Sequence, residues 1–183
     1  TANRIYETFV HERISLCLGQ AMDIALHSGL TSHEITEEEY LQMCIYKTGT
    51  LTRMAAKIAA VLAGAVDEAV EKIGRLAESL GVSFQIQDDI LDIVGEEFAK
   101  GKGGLGMDIT EGKRSLLVIH ALENGSPQDK WRLKTILDMH TSDEQLRREA
   151  IDIITKCGSI EYAKDVAQKL MRESLIEVDE MLP

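Results

Sequence analysis

Proline is the residue that most constrains this chain, through its scarcity: only Pro127 and Pro183 occur in 183 residues. Long stretches can therefore run as uninterrupted helix, and no stretch sustains the apolar–polar alternation of a half-buried strand. Helix punctuation is plentiful instead. Thr36 and Glu39 have the spacing of a capping box ahead of a helix running to about Gly64. A second long helix is predicted from about Asp67 to Val94, with Ile73, Ala77, Leu80 and Phe84 as its interior stripe. Asn124-Gly125 ends a short helix that starts near Lys113, and Ser126-Pro127 opens the next with proline in its first turn. Ser142 and Gln145 are expected to cap a helix ending at Cys157-Gly158, and a last helix fills about 159–182. The segment before residue 28 is helical too. The expectation is one all-α domain over residues 1–183, with no repeat and no linker.

Charge narrows the partners. The net charge of −11 excludes a nucleic-acid binder, because phosphate backbones need a basic face. An acidic chain that binds an anionic small molecule must bring metal ions or local cations to it. No apolar run approaches the roughly 20 residues that span a bilayer. Arg4, Glu7, His11, Glu12 and Arg13 interrupt residues 1–28, which rules out a signal peptide. Cys17, Cys44 and Cys157 suit neither a disulfide framework nor a zinc site and predict a reducing, cytoplasmic setting. The histidines His11, His27, His33, His120 and His140 are too scattered for a metal role. Thr1 opens directly into helical sequence, so the chain is expected to start partway into a larger gene product.

The interior stripe of the second long helix, continued four residues at a time beyond Phe84, reaches Asp88 and then Asp92, with Asp89 beside them. Between Arg75 and Lys100 there is no lysine or arginine. Unpaired carboxylates on an interior face are costly unless a cation binds. Hard oxygen donors point to magnesium or calcium, and magnesium takes one or two carboxylates and leaves room for substrate phosphates. A helix that simply surfaces here, with solvated acids, is the alternative. Gln85 precedes the aspartates on the same side, and Asp108 and Lys113 follow. Between them lies Lys100-Gly101-Lys102-Gly103-Gly104-Leu105-Gly106, either a mobile surface loop or a flexible lid whose lysines reach phosphate oxygens. Its G-x-G-x-x-G match lacks the preceding strand that a dinucleotide fingerprint needs. Glu111-Gly112-Lys113-Arg114 is no phosphate-binding P-loop either, since Arg114 stands where serine or threonine is required.

Phe84-Gln85-Ile86-Gln87-Asp88-Asp89-Ile90-Leu91-Asp92 resembles the second aspartate-rich motif of the trans-isoprenyl diphosphate synthases, the farnesyl and geranylgeranyl diphosphate synthase family. Gly19-Gln20-Ala21-Met22-Asp23 resembles that family's G-Q-x-x-D helix, and Tyr46-Lys47-Thr48-Gly49 its K-T-G/A segment. Residues Gly106-Met107-Asp108-Ile109-Thr110-Glu111-Gly112-Lys113-Arg114-Ser115 resemble its G-x-D-I-x-E-G-K-x-S stretch. The four segments occur in the family's order along essentially the whole chain.

The resemblance implies an all-helical bundle of the isoprenoid synthase type and a magnesium-dependent prenyltransferase. In that reaction an allylic diphosphate ionises and isopentenyl diphosphate attacks the allylic cation, giving a short all-trans prenyl diphosphate. It implies metal ligation by Asp88, Asp89, Asp92 and Asp108, and diphosphate contacts from Lys47, Lys102 and Lys113. Thr48 and Gln85 would direct negative dipole at the developing cation, and Gln20 and Asp23 would support the site from behind. Pyrophosphate is expected to remove the proton, which suits the lack of an evident side-chain base. A homodimer is implied, with a heteromer open. Residues 111–115 and 119–122 resemble short-chain, geranylgeranyl-type members.

The chain departs from the family in one respect. The first aspartate-rich motif should lie upstream of Gly19, yet residues 1–18 hold no aspartate. The resemblance thus predicts that this is the C-terminal portion of a full synthase, without the N-terminal helices. Alternatives are a non-catalytic diphosphate-binding subunit of a heteromeric synthase, an inactive fragment, or a class I terpene cyclase. Lys47-Thr48 and Gln85-x-x-Asp88-Asp89 favour elongation over cyclisation.

Overall fold

The structure, a computed structural model, describes residues 1–27, 33–95 and 104–179, and all regular structure among them is helical. In chain order the elements are α1 (Ala2–His27), α2 (Glu37–Cys44), a π-helical turn (Ile45–Gly49), α3 (Thr50–Leu62), α4 (Asp67–Val94), α5 (Met107–Thr110), α6 (Leu116–Asn124), α7 (Pro127–Asp138), α8 (Glu144–Lys156) and α9 (Ser159–Asp179). No described helix is long and apolar enough to cross a membrane.

The starts of these helices show which local signals act. The Glu39 N–H donates to Thr36 Oγ1 at 3.2 Å while the Thr36 N–H donates to Glu39 Oε2 at 2.9 Å, the reciprocal pair of a capping box. Ser126 Oγ accepts from the Asp129 N–H at 3.1 Å, with Pro127 in the first turn. Three expectations are corrected. Asp143, rather than Ser142, caps α8, because its carboxylate accepts from the Gln145 and Leu146 N–H groups. The helix expected from Lys113 begins at Leu116, since Gly112 turns with φ of 70° and Ser115 is extended. The helix expected to run unbroken from Thr36 to Gly64 is interrupted by the π turn.

The chain divides into two compact units that share helices. The first comprises Thr1–Asp23, Leu41–Gln85 and Val166–Pro183. Its apolar cluster is Ala60, Val61 and Val70, with Ile5, Ala65 and Ile73 packed on it. Within this unit Arg53 is paired with both Glu12 and Glu78, so a half-buried guanidinium is balanced from two sides. The second comprises Ile24–Tyr40 and Ile86–Asp165. There α6 is buried almost throughout, from Leu116 to Ile119 and at Ala121, and packs on α7 and α8. Leu133, Ile136, Leu137, Ala150 and Ile154 complete that core without exposure.

The interior stripe of α4 is not the expected one. Leu80 and Phe84 are 53% and 69% exposed, whereas Val70, Gly74, Gly81, Val82, Ile86, Asp89, Ile90 and Ile93 are buried. The helix carries apolar residues on two sides, and its true contact face includes glycines that carry no hydrophobic signal. The correction changes which aspartate faces inward: it is Asp89, while Asp88 and Asp92 are half-buried.

Candidate functional site

In the first unit, Lys47 and Thr48 lie on the π turn. A π turn inserts one extra residue per turn and leaves a carbonyl short of its α-helical donor. Here Ile45 O receives both the Thr50 N–H and Thr50 Oγ1, the latter at 3.2 Å. Two helices press on this turn at glycines. A Cβ on Gly19 would lie 2.8 Å from Lys47 Cα and closer still to Lys47 N and Tyr46 C, so α1 touches the turn backbone to backbone. A Cβ on Gly81 of α4 would lie 2.8 Å from Gly49 Cα. The turn therefore carries Lys47 and Thr48 on a backbone pinned at both ends. Lys47 Nζ donates to Asp23 Oδ2 at 2.5 Å, and Thr48 Oγ1 donates to Gln85 Oε1 at 3.0 Å. The structure thus brings Lys47 to Asp23 and Thr48 to Gln85, while Gln20, one residue beyond Gly19, is exposed.

In the second unit, the C-terminal end of α4 holds the carboxylates. The Asp89 side chain is fully buried. Its Oδ1 accepts from Lys113 Nζ at 2.7 Å and its Oδ2 from the Tyr40 hydroxyl at 2.7 Å. Lys113 Nζ also donates to Asp108 Oδ2 at 2.7 Å, bridging the two aspartates. Asp92 meets the chain where it returns: its Oδ1 accepts from the Met107 N–H at 3.2 Å and its Oδ2 from the Asp108 N–H at 3.1 Å. The Gly106 N–H donates to the Asp92 carbonyl at 2.8 Å, with Gly106 left-handed at φ 73°. Asp92 therefore serves as the N-terminal cap of α5 and sets Asp108 beside Lys113.

The electrostatics follow from burial. Desolvation pushes Asp89 above the usual carboxylate range, and Asp108 adds repulsion, against the opposing pull of Lys113 and Tyr40. Asp92 is pushed up to about 6, by desolvation first and by Asp108 second, with the two backbone N–H groups opposing. Burial alone would depress the Lys113 ammonium, but Asp89 and Asp108 outweigh it and hold it above its ordinary value. So the cluster favours added positive charge even with Lys113 in place.

No three described His, Cys, Asp or Glu side chains converge into a ready cation cage. The donor set still fits a hard divalent cation, which keeps waters and shares itself with substrate phosphates, because every candidate donor is a carboxylate oxygen. Asp88, Asp92 and Asp108, each half-buried, are the carboxylates that would hold one. Lys102 and the rest of residues 96–103 lie outside the described residues. Sequence reading missed Tyr40, which the capping box at Thr36 places in the first turn of α2. The sequence carries no signal for it; only in the structure is Tyr40 wholly buried, so that its hydroxyl requires a partner. Sequence reading also missed Gly19 and Gly81 as the contacts that seat the π turn.

Comparison with known proteins places this geometry. The family model described as polyprenyl synthetase matches residues 1–154. A short chain isoprenyl diphosphate synthase of Methanothermobacter thermautotrophicus is 40% identical over 154 residues, 84% of this chain and 46% of the relative. The crystal structure of geranylgeranyl pyrophosphate synthetase from Pyrococcus horikoshii Ot3 superposes with a TM-score of 0.83 at 33% identity, covering 99% of this chain and 53% of that one. The geranylgeranyl pyrophosphate synthase of Corynebacterium glutamicum, complexed with isoprenyl diphosphate and magnesium, shares the fold. Its TM-score is 0.86 at 22% identity, over 97% of this chain and 50% of that one. The chain spans about half the length of the relatives it matches.

Proposed function

This chain belongs to the polyprenyl synthetase family and has its all-helical isoprenoid synthase fold, and we propose that it is the C-terminal part of a single magnesium-dependent trans-prenyltransferase domain. The reaction is the condensation of an allylic diphosphate with isopentenyl diphosphate to a short all-trans prenyl diphosphate, of farnesyl or geranylgeranyl type. The observation that supports this most directly is the end of α4, where Asp89 and Asp92, next to Asp88 in the chain, meet Asp108 and the doubly paired Lys113.

Bond cleavage here needs a leaving diphosphate whose charge is stabilised, which is electrostatic and metal-ion catalysis. Magnesium, when bound, supplies Lewis acidity toward the diphosphate oxygens. Asp88, Asp92 and Asp108 would hold the ion, and Asp89, expected from the resemblance as a further ligand, holds Lys113. Lys113, like Lys47 and Lys102, offers its ammonium to diphosphate oxygens. Thr48, whose hydroxyl proton is committed to Gln85, presents its oxygen lone pairs toward developing positive charge. Asp23 keeps Lys47 in place through their ion pair. A homodimer in the cytoplasm completes the reading.

A second reading keeps the site without the reaction: the Asp89–Lys113–Asp108 cluster binds a diphosphate in a subunit that acts with a complete synthase. Incubation of the complete gene product that carries this chain with Mg2+, geranyl diphosphate and labelled isopentenyl diphosphate separates the two. Turnover that is lost in Asp88→Ala supports the enzyme. Mg2+-dependent pyrophosphate binding without turnover supports the subunit. Neither turnover nor binding would refute both.

A further inference from the structure

We infer that Tyr40 is a positioning residue for the diphosphate site: its hydroxyl fixes the Asp89 carboxylate so that Lys113 is shared between Asp89 and Asp108 rather than drawn wholly onto Asp89. Tyr40, on α2, is completely buried and donates to Asp89 Oδ2 at 2.7 Å. A ring placed there for volume alone could be phenylalanine, and a buried hydroxyl is costly unless bonded. The bond it makes goes to the one aspartate of the cluster that has no exposure. Asp89 Oδ1 then faces Lys113, and the same ammonium reaches Asp108 Oδ2, both at 2.7 Å. A carboxylate in a dry site that loses the donor on one oxygen draws a neighbouring ammonium across both oxygens. Removing the Tyr40 hydroxyl therefore pulls the Lys113 ammonium inward, off Asp108. The ammonium is then withdrawn from a diphosphate that it would otherwise contact.

The α2 segment that carries Tyr40 is itself held. The Thr36–Glu39 capping box fixes its start. Tyr162 of α9 donates to Glu37 Oε2 at 2.5 Å, and the Tyr162 ring stacks on His120 with centroids 4.2 Å apart. So the hydroxyl is delivered from a fixed backbone position, as a positioning group requires.

The test is Tyr40→Phe in the 183-residue chain, with two readouts. The first is the 15Nζ resonance of Lys113, which reports the ammonium's partners and which loss of ring packing elsewhere would not move. It shifts if the hydroxyl sets the bridge, and an unshifted resonance in a folded variant overturns the inference. The second is the affinity for inorganic pyrophosphate with Mg2+ by calorimetry, and this arm rests on the proposed function. Loss of one charge-assisted contact predicts weakening by about tenfold, and unchanged affinity overturns the link to the diphosphate site. Failure of the wild-type chain to bind Mg2+–pyrophosphate would instead sink the function proposed above, with the Lys113 resonance still deciding the Tyr40 coupling. Should Tyr40→Phe not fold, 3-fluorotyrosine in the wild-type background reports the Tyr40 hydroxyl through its 19F shift. That shift moves on Lys113→Met if hydroxyl and ammonium share Asp89, and its constancy overturns the proposal.

Discussion

Replacing Gly19 with alanine tests whether α1 is seated backbone to backbone on the π turn. Glycine inside a helix costs about 1 kcal/mol relative to alanine, so in open space the change would stabilise. Gly19 is not in open space. Its added Cβ would lie 2.5 Å from Tyr46 C and 2.8 Å from Lys47 Cα, where ordinary contact begins at 3.4 Å. Both obstacles are backbone, so α1 or the turn must move by roughly an ångström. Forcing a methyl group into packed structure costs typically about 1–3 kcal/mol, and immovable backbone argues for the upper end. The net is a loss of about 2 kcal/mol, or about 4–8 °C in Tm for a chain of this size. Gly74 of α4 is the control. There the Cβ meets only the Lys57 side chain, with Cε 2.5 Å and Cγ 2.9 Å away, which can swing aside at the cost of its exposed pairing with Glu71. Gly74→Ala should therefore be neutral or stabilising by up to about 1 kcal/mol. Urea unfolding of the chain and the two variants reads both signs. A Gly19→Ala variant as stable as Gly74→Ala would refute the reasoning.

Lys113→Met should cost about 3–5 kcal/mol, because it strands the fully buried Asp89 without its ammonium; thermal melts check this, and adding Asp89→Asn should recover part of the loss. Asp92, raised to about 6, stays protonated in the folded chain across pH 4–6 where the unfolded chain has released the proton. Its stabilising contribution is thus complete at low pH and lost as pH rises through 6, and Mg2+ competes with that proton. The Mg2+-induced rise in Tm should grow between pH 5 and 7, and a flat profile would count against Asp92 as a ligand. Asp143→Ala should destabilise by about 1 kcal/mol through loss of the α8 cap, while Ser142→Ala should do little, as urea midpoints will show.

Elements whose signals are local were legible from the sequence. Thr36 with Glu39, and Ser126 with Pro127, specify helix starts through groups at most three residues apart, and the structure has both. Asp89, Asp92, Asp108 and Lys113 were legible together because helix spacing and modest separation in sequence bring them near. The π turn was not, since Ile45–Gly49 reads as ordinary helix. The contacts that accommodate it come from Gly19 and Gly81, distant in sequence and silent in any hydrophobic pattern. The α4 stripe was misread for the same reason: Gly74 and Gly81 mark closest approach, whereas Leu80 and Phe84 only look interior. Tyr40 was missed because a capping signal says where a helix starts, not what a side chain in its first turn must reach.

The corrected stripe explains why three aspartates of one motif acquire three environments. At about 100° per residue, Asp88 and Asp92 lie only about 40° apart around α4, and Asp89 lies about 60° from Asp92 on the side away from Asp88. The order around the helix is Asp89, Asp92, Asp88. The buried face of α4 ends on Asp89, so that carboxylate falls among protein donors and takes Tyr40 and Lys113. Asp92, next around, is half-buried and takes the backbone N–H groups that start α5. Asp88 lies farthest around from the core. In the function proposed above, a cation would meet the outer pair, with Asp108 brought up by Asp92, while the inner aspartate holds Lys113. A one-residue shift in either direction turns all three by about 100°, burying the outer pair together with Asp89 or carrying Asp89 out to the exposed side, so the doublet followed by two spacers suits the geometry of the helix.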